Sequence, residues 1–86
     1  MVLSGEEVAR RALRQVRRML LAGQRGPFVI RCAPSAAQAL EALPAEHAQV
    51  YALPVSGRHA EKFDIEQIGE GIPVPREARP LGMRND

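Results

Sequence analysis

Residues 28 to 40, FVIRCAPSAAQAL, hold the strongest constraint on what this chain can fold into. Phe28, Ile30 and Cys32 alternate with Val29 and Arg31, and the β-branched and aromatic content fits a pleated strand. Pro34 breaks that strand, and Ser35-Ala36-Ala37-Gln38 then matches a capping box with Ser35 as N-cap. A short alanine-rich helix is expected from about Ala36 to Leu43, stopped by Pro44, with Leu40 and Leu43 towards the core. A strand that turns at once into a helix commits the chain to a layered α/β arrangement.

The element before this joint is equally well marked. Ser4-Gly5-Glu6-Glu7 reads as a capping box just ahead of an apolar periodicity. On a helical wheel Val8, Ala9, Ala12, Leu13, Val16, Met19 and Leu20 share one face. Arg10, Arg11, Arg14, Arg17 and Arg18 occupy the other, with Leu21 alone among them. Gly23 suits the position after the helix, and GQRGP follows as a loop. After PAEHA, QVYALPV reads as a second strand whose Pro54 suits a strand end or an edge. EKFDIEQIG is read as a third strand through Phe63 and Ile65, although Asp64, Gln67 and Gly69 would also suit a helical turn. The end carries Pro73, Pro75 and Pro80 with three glycines, a composition that favours an extended arm over packed structure.

Size and composition bound the class. Eighty-six residues make one domain with a thin core, and Phe28, Phe63 and Tyr51 are the only aromatics, so self-association would help to make up the shortfall. A lone cysteine excludes an internal disulfide framework, no secretory signal pattern is present, and a cytoplasmic protein is expected. MLLAG is far shorter than the roughly 20 residues a membrane helix needs. Net charge is +2, but residues 1–31 hold seven arginines against Glu6 and Glu7, whereas residues 32–86 hold five basic and eight acidic residues. Position matters here more than arginine identity, because a GC-rich genome favours arginine over lysine.

Three groups of residues carry possible chemistry. Cys32 would need a following arginine and a run of backbone amides to serve a phosphatase-like loop, and CAPSAAQ supplies neither, so it is read as a buried, inert thiol. With His47 and His59 it could form a three-ligand metal site, but the spacings match no compact zinc pattern and no metal or cofactor is expected. SGRHAEKFD gathers Ser56, Arg58, His59, Glu61, Lys62 and Asp64, the residue types with which small phosphodiester-cleaving enzymes move a proton and stabilise charge. A solvated polar turn is the simpler reading. The arginine face is the strongest signal, since like charges on one stripe are best tolerated opposite an anionic partner.

The segment ALRQVRRMLLAGQRGPFVIRCAPSAAQALEAL resembles the C-terminal domain of the stator proteins that regulate flagellar and type III export ATPases. The resemblance rests on Ile30, Arg31, Pro34 and the hydrophobic pattern. In that family an amphipathic helix precedes a V-x-R-x-x-P strand-turn and a short helix, and the resemblance implies the same order here. The chain departs from that family in having no long N-terminal coiled segment and a proline-rich tail in place of a final helix.

The expectation is a small two-layer α/β (α+β) domain over residues 1–71, in the order α-β-α-β-(β), with an extended arm over 72–86. Two helices are expected to cover one face of a two- or three-stranded sheet. The expected function is a non-enzymatic protein–protein interaction module, an accessory subunit or small regulator, contacting its partner through Arg10, Arg11, Arg14, Arg17, Arg18 and the arm with Arg76. Nucleic-acid binding through the same stripe is the alternative, and an RNase-like enzyme centred on Arg58, His59 and Glu61 is the third reading.

Overall fold

The computed structural model describes residues 3–43 and 49–81; the expected loop PAEHA, with His47, and tail residues 82–86 lie outside them. Helix α1 (Gly5–Leu21) starts on the expected capping box. The Ser4 hydroxyl accepts the Glu7 N–H, and the Glu7 carboxylate accepts the Ser4 N–H, each at 3.2 Å. Val8, Ala9, Ala12 and Val16 are buried, with Leu13, Met19 and Leu20 packed at their margin. Gly23 takes up a left-handed conformation at φ +91° just past the helix, where a side chain would be strained.

Strand β1 (Phe28–Cys32) leads into α2 (Pro34–Ala42), followed by β2 (Val50–Pro54), β3 (Phe63–Gln67) and β4 (Arg79–Pro80). The start of α2 corrects the expectation. Its N-cap is Ala33, with no side-chain cap, and Ser35 lies inside the first turn. Pro34 is responsible, because its fixed φ suits the first helical position and its missing N–H would have no partner there anyway. The segment that could have been strand or helical turn is a strand, β3.

Among the described residues the sheet has four strands, not two or three, in the order β3-β1-β2-β4. β1 pairs parallel with β2 and antiparallel with β3, and β2 pairs antiparallel with β4. The extra strand comes from the proline-rich segment. The Leu81 N–H donates to the Val50 carbonyl at 2.8 Å, which turns the Pro80 nitrogen to the outer edge, where a missing N–H costs nothing. Leu81 itself is 1% exposed.

Strand alternation divides the core as expected. Phe28, Ile30, Cys32, Val50 and Ala52 face the helices and join α1, α2 and Leu81 in the main cluster. Val29, Leu53 and Ile68 point to the other face, where Tyr51, Val74 and Ala78 cover them. Within the expected arm, Val74, Ala78 and Leu81 are packed against the core and Arg79–Pro80 forms β4, whereas Ile72 and Arg76 are exposed. Val74 and Ala78 pack on the second sheet face, which the two helices leave open, and Leu81 joins the main cluster. Among the described residues no helix is long and apolar enough to cross a membrane.

Two predictions follow from the packing. A Cβ at Gly5 would lie 2.7 Å from the Ser35 carbonyl oxygen, so Gly5→Ala should destabilise by about 1–3 kcal/mol in urea titration, as overpacking does, despite alanine's better helix propensity. Leu81→Ala should cost about 2–5 kcal/mol, the range for a truncated core leucine, and lower the thermal midpoint. An unchanged midpoint would mean that the C-terminal segment does not belong to the core.

Candidate functional site

The arginine face of α1 is exposed along its whole length, with Arg10, Arg11, Arg14, Arg17 and Arg18 all at the surface. The fold divides it into two flanks. Arg10 donates to Glu6 one turn earlier, at 2.9 Å, on the flank that also carries Arg17 and the 82% exposed Leu21. Arg11, Arg14 and Arg18 lie on the other flank and line a shallow depression with Gln15 and Phe63. Phe63 is the first residue of β3 and packs its ring at the margin of the core.

Phe63 also borders a second open depression, with Arg58, His59, Glu61, Lys62 and Asp64. The stripe and the polar turn, far apart in sequence, are thus neighbours across one aromatic ring. Within the turn most groups already have partners. Arg58, 24% exposed, bonds Asp64 at 2.6 Å. The Glu61 carboxylate accepts the Leu3 N–H at 3.0 Å, and His59 Nδ1 accepts the Glu61 N–H at 3.2 Å. The structure gathers the proton-transfer types but ties Arg58 and Glu61 into holding the turn and the start of α1 together.

The ion pairs elsewhere explain which charges are left over. Arg31 bonds Glu66 at 2.6 Å, and Arg79 reaches Glu41 at 3.3 Å. Glu7 serves the capping box. Among the described residues Arg11, Arg14, Arg17, Arg18, Arg25 and Lys62 have no carboxylate partner. Arg76 is exposed too, but its neighbours Val74 and Ala78 pack on the sheet face opposite α1, so the fold does not bring it to the stripe. The role of Phe63 was missed in the sequence; its alternation with Ile65 signalled a strand, but not which helix it would meet.

Cys32 is buried, and its thiol faces the Ile30 carbonyl at 4.0 Å. Burial pushes its pKa up to about 11, against a smaller lowering by Arg58, the opposite of what a nucleophile needs. Among the described residues no group of three histidine, cysteine or acidic side chains could hold a metal ion; His47 lies outside them. No family model, no curated protein and no solved structure matches the chain.

The raised thiol pKa gives a prediction with a definite sign. The unfolded chain releases the proton at about pH 9 and the folded chain only at about pH 11, so stability falls as pH rises through that window. Cys32→Val should flatten this slope in denaturant titrations between pH 8 and 11. At pH 8 a thiol reagent should label the native protein far more slowly than the unfolded chain; equal rates would contradict the burial.

Proposed function

We propose that this chain is a non-enzymatic protein–protein interaction module, an accessory subunit or small regulator, that binds an anionic partner surface through the arginine face of α1. The observation that carries this reading is the distribution of carboxylates. Among the described residues Arg31, Arg58 and Arg79 each have an acidic partner while Arg25 and Arg76, on separate loops, have none, and of the five clustered arginines of the stripe only Arg10 has one. Four neighbouring cations on one helix repel one another, and an anionic partner removes that cost. The cytoplasm suits a chain with a single thiol.

Nucleic-acid binding is the second reading, supported by Phe63 standing between Arg11, Arg14 and Arg18 on one side and Arg58 and Lys62 on the other. A ring flanked by cations can stack on an unpaired base while the cations meet phosphates.

The double variant Arg14→Glu with Arg18→Glu separates surface from fold. It should keep the circular dichroism and thermal midpoint of the parent, since both side chains are exposed, yet lose a partner protein that co-purifies with the parent after nuclease treatment. Retention of every partner would overturn the interaction reading. A partner lost on nuclease treatment, together with a gel shift on single-stranded RNA that weakens steeply with salt, would decide for nucleic acid.

A further inference from the structure

The two edges of the sheet differ. β4 is two residues long and carries Pro80, the usual blunting of an edge against unwanted pairing. β3 is five residues long, without proline, and among the described residues pairs on one side only. The Ile68 N–H donates to the Pro27 carbonyl at 2.8 Å. In the antiparallel register that follows, Asp64 and Glu66 direct their backbone groups at β1. The N–H and C=O groups of Phe63, Ile65 and Gln67 therefore point outward, and among the described residues no hydrogen bond engages them.

The flank of α1 nearest Phe63 is the one with Arg11, Arg14 and Arg18. We infer that the outer edge of β3 receives an extended acidic peptide segment of a partner protein, which adds as a fifth strand while its carboxylates meet Arg11, Arg14 and Arg18. This rests on the interaction reading above and gives it a partner class. Main-chain bonds supply affinity in such strand addition, and alternate side chains supply specificity. Charge complementarity chooses the occupant. A second copy pairing β3 to β3 about a two-fold axis would bring two arginine flanks together across the seam, and like charges so placed oppose it. An acidic strand whose carboxylates lie on the face of Phe63 and Ile65 meets no such cost, since Asp64 and Glu66 lie on the other face, paired with Arg58 and Arg31.

The test uses the whole chain and a fluorescent ten-residue peptide of alternating valine and glutamate. A copy N-methylated at every second amide serves as control, since it has the same charge but cannot complete the ladder. We expect saturable binding, a loss of about tenfold or more both with the methylated peptide and with Arg14→Glu/Arg18→Glu, and slowed amide exchange at Phe63, Ile65 and Gln67 in the complex. Equal binding of both peptides without that protection would overturn strand addition and leave the arginine-face reading standing. No peptide binding, with tight binding of single-stranded RNA, would overturn both. Dimerisation of the chain through protected β3 amides, with no peptide bound, would make a second copy the occupant and overturn the acidic strand.

Discussion

β1 is buried on both faces and bonded along both edges, and every other element takes its place from it. Phe28, Val29 and Ile30 have no exposed surface, so each neighbour must supply apolar atoms to one face or backbone groups to one edge. β2 and β3 take the edges. The helices take the face of Phe28 and Ile30, and the segment around Ile68, Val74 and Ala78 takes the face of Val29. With so few aromatics, no second cluster of comparable size is available, and small residues do much of the packing. Ala9, Ala12 and Ala36 let α1 and α2 approach closely, and Gly5 admits the Ser35 carbonyl where a methyl group would not fit.

That dependence on β1 decides what could be read locally. α1 was legible to its caps because a capping box, a 3.6-residue periodicity and a terminal glycine all lie within one stretch of chain. The exposure of the five arginines followed from the same periodicity. α2 carried two competing start signals, and Pro34, which acts through its own φ, prevailed over Ser35, which needs a bond to a later amide. β4 was not legible, because a two-residue strand has no period and Pro80 reads as a breaker until its nitrogen is known to face outward. The division of the stripe into two flanks depends on where β3 packs, bringing Phe63 beside Arg11, Arg14 and Arg18 from far along the chain, and no local pattern encodes it.

The same topology explains why the acidic C-terminal part does not neutralise the basic N-terminal part. In β3 the apolar residues Phe63 and Ile65 must face the helices, so alternation sends Asp64 and Glu66 to the opposite face. There they meet Arg58 and Arg31, which point the same way. Glu41 is taken by Arg79, at the other end of the sheet order from β3. The sheet lies between Glu66 and the helices, while Asp64, which borders the depression beside Phe63, is held by Arg58. The exposed charge on α1 is thus a consequence of how the core is built as much as of composition. A chain whose net charge is only +2 carries one strongly cationic surface, and the sheet places its longer unpaired edge beside it.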